Sequence, residues 1–248
     1  MRTIITGASS GIGAALAREL SRRGHSLGLM ARRAEMLDAL VAELKTPAVA
    51  LPCDATDSAA VRDAVARGEA ALGGPFDLAV ANAGVGVAFP AHKFDLAAAK
   101  EMVNVNIVGM MVLFDAVIPK MIERGSGHFA GVASLAGLRG LPTTAVYSST
   151  KAAMQAFLEA VRVELAPRGI AVTTINPGFV VSPMTDKNTF KMPFLMSAER
   201  AARIIADGLD ARARVVQFPL PMSLLMRFAR TLPNAVYDRA LRVGARRR

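Results

Sequence analysis

Thr6-Gly7-Ala8-Ser9-Ser10-Gly11-Ile12-Gly13 is the stretch that decides the fold, because it joins an apolar run at residues 2–6 to a long amphipathic segment. Glycines between a strand and a helix let the backbone turn tightly and approach a pyrophosphate, whose charge then lies at the helix N-terminus. The spacing is G-x-x-x-G-x-G, which differs from the G-x-G-x-x-G of the commonest dinucleotide fingerprint. A flexible turn is the alternative, but the position after the first strand favours a nucleotide site. The predicted contacts are Gly7, Ser9, Ser10, Gly11, Ile12 and Gly13.

Outward from this turn, short apolar runs alternate with longer amphipathic ones, which is the pattern of strand–helix–strand units in a parallel sheet. The predicted strands cover residues 2–6, 26–30, 48–53, 77–82, 127–133, 170–176 and 214–218. The predicted helices cover residues 11–23, 33–45, 57–72, 93–123, 145–166 and 197–211. We predict an α/β fold: a single-domain, Rossmann-type, doubly wound parallel sheet of about seven strands with helices on both faces. Residues 1–218 form the expected dinucleotide-binding and catalytic domain, and 219–248 a basic amphipathic C-terminal extension.

The composition is that of a globular protein, with 52% hydrophobic and 20% charged residues among 248. The longest apolar runs are interrupted well short of the roughly 18 residues that a membrane-spanning helix needs. The sequence enters a predicted strand at once, so no signal peptide is expected. Cys53 is the only cysteine, which excludes an intrachain disulfide and favours a reducing compartment, the cytoplasm. We predict no metal site.

The formal net charge of +10 is concentrated in the last 37 residues, where nine arginines and one acid, Asp238, give a net +8. Such a tail can bind anionic lipid, nucleic acid or an acidic protein partner. The residues interleaved with its arginines are mainly aliphatic rather than stacking aromatics, so nucleic acid is not expected. Two apolar helical stripes run through the tail, the first formed by Met222, Leu225, Met226, Ala229 and Leu232, the second by Val236, Tyr237, Ala240 and Leu241. An anionic membrane surface and a neighbouring subunit both remain open as partners for them.

The end of the second strand, Met30-Ala31-Arg32-Arg33, bears on the choice of dinucleotide. NAD sites usually carry an acid near this position to hold the ribose 2′-hydroxyl. A guanidinium instead pairs with a 2′-phosphate through charge-assisted hydrogen bonds. We therefore predict NADP(H) as the cofactor, bound through Arg32 and Arg33. The alternative is that both arginines form a solvated helix start.

Polar and small residues follow other strands at the same edge of the sheet, where open α/β sheets bind ligands. Asp54 follows the third strand and suits an adenine edge, with the Ala55 amide beside it. Asn82-Ala83-Gly84 ends the fourth strand, where small residues allow close passage along the cofactor ribose. Turn chemistry alone would also explain these residues. Their placement at successive strand ends favours cofactor contacts.

Four further residues suit proton transfer. Tyr147 and Lys151 are four positions apart on a predicted helix and therefore share one face. A positive lysine near a phenol, whose ordinary pKa is about 10, would favour the phenolate and make Tyr147 a proton donor and acceptor. Ser134 ends the fifth strand and can hydrogen-bond a substrate oxygen. Asn106 is an amide in mid-helix, where it has little structural reason to be. Taken singly, each of the four is better explained by packing.

Taken together, these segments resemble the short-chain dehydrogenase/reductase family from residue 2 to about residue 218. The matching segments are TGASSGIG at 6–13, CDATD at 53–57, ANAG at 81–84, NIVG at 106–109, Ser134, YSSTK at 147–151 and Pro177-Gly178. The resemblance implies hydride transfer between NADP(H) and an alcohol or carbonyl carbon, with Tyr147 as general acid/base. It implies that Ser134 holds the substrate oxygen. It implies that Lys151 both binds the ribose and adjusts the pKa of Tyr147. Asn106 is implied as the support of a proton-relay water.

The resemblance also implies cofactor contacts from Tyr147 itself and from Pro177, Gly178, Val180 and Ser182. Serine at 182 replaces the family's usual threonine and ANAG replaces the commoner NNAG, both mild departures. Family members are commonly oligomeric, so a homodimer or homotetramer is expected. A non-catalytic NADP(H) sensor, or a membrane-tethered interaction protein on the same fold, is the alternative. A sensor would not need all four of the residues suited to proton transfer.

The segment from 182 to 196 interrupts the α/β rhythm and predicts a flap over the site. Its apolar residues, with one on the turn after the fourth strand, are Met184, Phe190, Met192, Phe194, Leu195, Met196 and Phe89. Methionine adapts to irregular shapes, so they favour an apolar alcohol or carbonyl substrate. A flap that only packs on its own body is equally compatible with them.

Overall fold

The computed structural model describes residues 1–186 and 191–245, which form seven strands and nine α-helices. The strands are β1 Arg2–Thr6, β2 Ser26–Ala31, β3 Ala48–Pro52, β4 Leu78–Ala81, β5 Gly127–Val132, β6 Ile170–Pro177 and β7 Val215–Phe218. The helices are α1 Gly11–Arg22, α2 Ala34–Glu43, α3 Ser58–Ala71, α4 Leu96–Val103, α5 Gly109–Glu123, α6 Ala145–Leu165, α7 Ala198–Asp210, α8 Leu220–Thr231 and α9 Asn234–Ala245.

All strand pairs are parallel, and the sheet order is β3-β2-β1-β4-β5-β6-β7. The chain moves outward from β1 through β2 to β3 and then returns to the other side of β1 with β4. This reversal opens a crevice at the carboxyl ends of β1 and β4, which is where open α/β sheets bind their ligands.

The core has two layers because helices cover both faces of the sheet. On one face, α1 and α7 bury side chains such as Leu16 and Ile205 against the strands. On the other face, α5 and α6 do the same with Leu113 and Leu158. Strands enclosed on both faces have no polar side, and β5 is buried at every position. The predicted fold class is therefore confirmed.

The long helix predicted at 93–123 is divided in the structure into α4, a π-helical turn at Asn104–Val108, and α5. By length and composition alone the stretch Leu96–Glu123 could cross a membrane, with a mean hydropathy of 1.8 in its most apolar window. Its apolar character has a local explanation, because residues such as Met110 and Val117 are buried in the core. A core helix meets the same criteria, so the stretch is weak evidence for a membrane span.

Helices α8 and α9, which follow β7, pack against the rest of the chain. Met222 and Met226 of α8 are buried in a small apolar cluster with Leu135, and Phe179 packs against it. These two methionines belong to the predicted first stripe, which therefore packs on this chain. Leu225, predicted in the same stripe, is instead 56% exposed.

The loop between β5 and α6 is held by the tail. The Arg139 guanidinium donates to the carbonyl oxygens of Arg230 (3.1 Å) and Leu232 (3.2 Å). It also lies 4.3 Å from the centroid of the Tyr237 ring. The Tyr237 hydroxyl donates to the Gly140 carbonyl oxygen at 2.5 Å. The C-terminal helices thus brace the loop that contains Ser134.

Candidate active site

The glycine turn between β1 and α1 brings backbone segments very close together. Gly7 and Gly11 have positive φ angles of 66° and 55°, a region that favours glycine. A methyl group on Gly13 would lie 2.3 Å from the Gly7 carbonyl oxygen, so a side chain is excluded there. Asn82 fixes the turn, since its side-chain amide donates to the carbonyl oxygens of Thr6 (3.0 Å) and Gly7 (3.2 Å). The turn is therefore a fixed surface made mostly of backbone.

The N-terminus of α1 offers hydrogen-bond donors to an anion. Ser10, its N-cap residue, has an extended backbone and makes no side-chain capping hydrogen bond within the described chain. The first amide groups of the helix therefore keep their donors for another partner, and the helix dipole favours a negative group. Ile12, in the first turn of α1, packs against the core. This donor set fits the pyrophosphate of a dinucleotide.

The two arginines after β2 have different surroundings. Arg33 Nη2 donates to Ser9 Oγ (2.7 Å) and Ser10 Oγ (2.8 Å), so its guanidinium lies on the glycine turn. Arg32 is exposed and lies near Asp54, where its charge helps to lower the pKa of that carboxyl. The structure therefore places Arg33, more directly than Arg32, at the glycine turn.

Asp54 is held in a turn at the end of β3. Its Oδ1 accepts from the Thr56 amide (2.9 Å) and from Thr56 Oγ1 (2.8 Å). These bonds, the backbone one above all, hold the pKa of Asp54 below its ordinary value. Ala55 packs near the start of α5, where a methyl group on Gly109 would lie 3.4 Å from the Ala55 carbonyl oxygen.

The segment after β4 connects the glycine turn to the residues suited to proton transfer. Thr6 Oγ1 accepts from the amides of Asn82 and Ala83, both at 3.0 Å. A methyl group on Gly84 would lie 3.2 Å from Asn106 Oδ1 and 3.5 Å from Lys151 Nζ. Asn82-Ala83-Gly84 therefore lies between the two halves of the predicted site.

Ser134 and Tyr147 come together at the carboxyl end of β5. Ser134 Oγ accepts from the Ala136 amide at 3.1 Å and donates to the Pro177 carbonyl oxygen at 3.3 Å. Burial raises the pKa of Tyr147, and a hydrogen bond with the Ser134 side chain opposes that rise. A serine and a phenol so arranged can hold one substrate oxygen between them.

Lys151 is buried beside Tyr147. Its Nζ donates to the Val132 carbonyl oxygen at 2.9 Å and lies 5.7 Å from the centroid of the Tyr147 ring. Desolvation lowers the pKa of Lys151 to about 7. The sequence predicts a lysine that stays positive, whereas in the structure burial disfavours the charged forms of both Lys151 and Tyr147.

Asn106 is fully buried in the π-helical turn between α4 and α5. Its side chain makes three hydrogen bonds: Oδ1 accepts from the Val85 amide (2.8 Å), and Nδ2 donates to the Val85 carbonyl oxygen and to Thr150 Oγ1 (both 3.0 Å). π-Helical turns often mark functional sites in helices. Asn106 therefore joins the loop after β4 to the helix that carries Tyr147.

Sequence reasoning missed two polar residues of α6. Thr150 Oγ1 bonds Asn106 and also donates to the Tyr147 carbonyl oxygen at 2.8 Å. Gln155 Nε2 donates to the Ser134 carbonyl oxygen at 2.7 Å, which fixes the backbone at the serine. Gln155 follows Lys151 by four residues, so its position on the same helix face was the available signal.

The segment after β6 crosses the glycine turn. A methyl group on Gly11 would lie 3.0 Å from Ser182 Cβ, and a methyl group on Gly178 would lie 3.0 Å from Pro219 Cδ. Val180 is buried and forms a parallel bridge with Met196. These contacts bring the predicted contacts Pro177, Gly178, Val180 and Ser182 to the carboxyl edge. Phe190 lies outside the described residues.

The chain matches the family model described as short chain dehydrogenase over residues 2–192. It is 39% identical over 242 residues to an uncharacterized oxidoreductase of Myxococcus xanthus (strain DK1622), which covers 96% of this chain and 95% of that protein.

Two solved structures are similar as well. A short-chain dehydrogenase from Sphingobium yanoikuyae in complex with NADPH is 28% identical, with a TM-score of 0.80 over 100% of this chain and 94% of that one. A 3-ketoacyl-(acyl-carrier-protein) reductase from Brucella melitensis complexed with NADH is 25% identical, with a TM-score of 0.83 over 90% of this chain and 98% of that one. This chain therefore belongs to the short-chain dehydrogenase/reductase family of oxidoreductases, as the ordered motifs predict.

Proposed function

We propose that the protein interconverts an alcohol and a carbonyl compound with NADP(H), using Tyr147 as general acid/base. The proposal is carried by the meeting of Ser134, Tyr147 and Lys151 at the carboxyl edge of the sheet. Gly84 lies against Lys151 there and links these residues to the glycine turn. A hydride donor bound on the turn would therefore lie beside the proton donor.

Each side chain has a role that its surroundings support. In reduction, Ser134 holds the substrate carbonyl oxygen while Tyr147 gives it the phenolic proton as negative charge develops. The nicotinamide, when bound, supplies the hydride. Lys151, when protonated, stabilises the phenolate that remains. Asn106 positions the loop after β4 through its two bonds with Val85.

The preference for NADP(H) is supported by Arg33. Its guanidinium lies on the Ser9 and Ser10 hydroxyls, where it would form charge-assisted bonds with a 2′-phosphate. The acid usual in an NAD site is missing from the end of β2. The similar structures include complexes with NADPH and with NADH, so this preference rests on the residues of this chain.

An apolar substrate is supported by the residues next to Tyr147. A methyl group on Gly86 would lie 3.1 Å from Tyr147 Cδ2 and 3.3 Å from Met184 Sδ, so a thioether borders the phenol. The rings of Phe89 and Phe94 pack edge to face, with their centroids 5.4 Å apart, in the same loop. Such adaptable and aromatic side chains suit an apolar alcohol or carbonyl compound.

The test compares the two tyrosines of the chain. A panel of medium-chain and cyclic apolar alcohols and aldehydes is first screened by NADPH absorbance. Tyr147→Phe is expected to lower turnover of the best substrate about 10²- to 10⁴-fold, because a general acid/base typically contributes that much. Cofactor binding should remain.

Tyr237→Phe removes the other phenolic hydroxyl, which donates to Gly140 in the tail contact. It is expected to keep turnover within about threefold of wild type, because the ring stays beside Arg139 and no group of the candidate active site is removed. Equal turnover in wild type and Tyr147→Phe would show that another group moves the proton. A wild type that binds NADPH and turns over no compound in the panel would favour the sensor alternative.

A further inference from the structure

The outer side of α8 is an apolar surface. Four large side chains are more than half exposed there: Leu220 at 67%, Leu224 at 55%, Leu225 at 56% and Phe228 at 62%. They lie opposite the buried methionines of the same helix, so α8 has apolar side chains on both sides. We call these four residues the α8 outer face. Exposed apolar groups clustered on one helix mark an interaction surface.

The charge around the α8 outer face restricts what can cover it. Among residues 219–241, whose side chains the structure describes, there are three arginines and one acid, Asp238. Arg227, Arg230 and Arg239 are exposed, and none of them makes an ion pair with any described residue. Arg23 differs, because it is paired with Asp207 and Asp210. The surface therefore combines apolar side chains with unpaired positive charge.

A second copy of this chain fits such a surface poorly. Symmetric packing of α8 on α8 would bring the arginines of two copies together, with Asp238 as the only acid among residues 219–241 of each. An anionic lipid surface suits both features, since its acyl region accepts apolar side chains and its headgroups attract arginines. We propose that α8 and α9 dock the protein on the surface of an anionic phospholipid bilayer.

The α8 outer face lies at the same edge of the sheet as the candidate active site. Pro177 at the end of β6 pairs with Phe218 at the end of β7, and α8 begins two residues later. Phe179, next after Gly178, packs on the buried side of α8. Docking through α8 therefore holds the carboxyl edge near the lipid. A substrate dissolved in the membrane would then have a short path to Tyr147, an extension that rests on the proposed function.

Vesicle co-sedimentation of the full-length chain tests the docking without any measurement of turnover. The probes are phosphatidylcholine vesicles with and without phosphatidylglycerol, each at low salt and at about 1 M salt, where the Debye length is about 3 Å. We expect sedimentation with the anionic vesicles at low salt and release at high salt. A protein that stays in the supernatant under every condition, or that binds both lipids equally, would overturn the proposal.

A matched pair of variants locates the surface. Arg227→Gln with Phe228→Ser removes one charge and one apolar group from α8. Arg214→Gln with Val215→Ser makes the same kind of change at the start of β7, on the opposite edge, where both residues are exposed. The α8 variant should weaken vesicle binding at least about tenfold and the β7 variant less than about threefold.

Circular dichroism establishes that both variants fold. Equal vesicle binding by the two would overturn the proposal. A loss of oligomer mass in the α8 variant, without vesicle binding by wild type, would assign the face to a second copy of this chain. Neither result depends on turnover, so these experiments test the docking independently of the proposed reaction.

Discussion

Lys151 makes the folded state sensitive to pH because desolvation lowers its pKa from 10.5 to about 7. Below about pH 7 the lysine is protonated in the folded and the unfolded states, and the folded state carries the full cost of a buried charge. Between about pH 7 and 10.5 the unfolded chain binds a proton that the folded chain has released. The free energy of unfolding therefore rises with pH in this window.

Lys151→Met removes this dependence while keeping the length of the side chain. The free energy of unfolding of wild type minus that of Lys151→Met should increase by about 2–3 kcal/mol between about pH 6.5 and about pH 9. Urea unfolding of the cofactor-free protein measures it, and Lys45→Met at an exposed position is the control. A difference that stays constant with pH would mean that Lys151 keeps its proton in the folded state.

Arg33 should determine the choice of cofactor because it contacts the glycine turn. Arg33→Ala is expected to weaken NADPH binding about 10- to 150-fold and NADH binding less than about threefold, from the loss of charge-assisted bonds. The chain has no tryptophan, so the emission of the bound cofactor can be followed without tryptophan fluorescence. Arg67→Ala, which breaks an exposed pair on α3, is the control. Equal losses for both cofactors would contradict a 2′-phosphate contact.

At the scale of the element, the π-helical turn contains two asparagines with different surroundings. Asn106 is buried with three hydrogen bonds, whereas Asn104 is exposed in the same turn. Asn106→Ala leaves buried partners unsatisfied and should lower the free energy of unfolding by about 2–4 kcal/mol. Asn104→Ala should change it by less than about 0.5 kcal/mol. Similar urea midpoints for the two variants would mean that the loop after β4 does not depend on this turn.

Strands were the elements that the sequence predicted best. Every predicted strand matches an observed one to within one residue at each end. The reason is that buried parallel strands are short apolar runs ended by glycine or polar residues. The π-helical turn was missed, because one extra residue in a helical turn leaves the apolar pattern almost unchanged. The buried side of α8 was only partly predicted, because it is decided by Leu135 and Phe179, which are distant in sequence.

For the candidate site, sequence order predicted which strand ends carry polar residues but not the contacts between them. The contact of Arg33 with Ser9 and Ser10 depends on the direction of one side chain at the start of α2. The lowered pKa of Lys151 depends on how completely α6 and β5 enclose it. Local patterns contain neither kind of information, because both arise from long-range packing.

At the scale of the whole molecule, the helical stretch Leu96–Glu123 has a second apolar side that faces outward. Leu96 is 59% exposed, and Val103 and Met111 are 40% and 39% exposed. One side of this stretch is buried in the core, so the outward side is available to a partner. Unlike α8, the stretch has nearly balanced charge, with two lysines, Lys100 and Lys120, and three acids, Glu101, Asp115 and Glu123. Its outward side is therefore suited to pack against a second copy of this chain.

We therefore expect a homodimer formed through α4 and α5. Val103→Glu with Met111→Glu should convert it to monomers, because a buried interface would have to accept unpaired charges. Sedimentation velocity measures the mass, and Leu224→Glu on α8 is the control that should leave the dimer intact. If Leu224→Glu dissociates the oligomer and the double variant at Val103 and Met111 does not, α8 is the subunit interface. In that case the membrane proposal fails together with this prediction, since one surface cannot serve both partners at once.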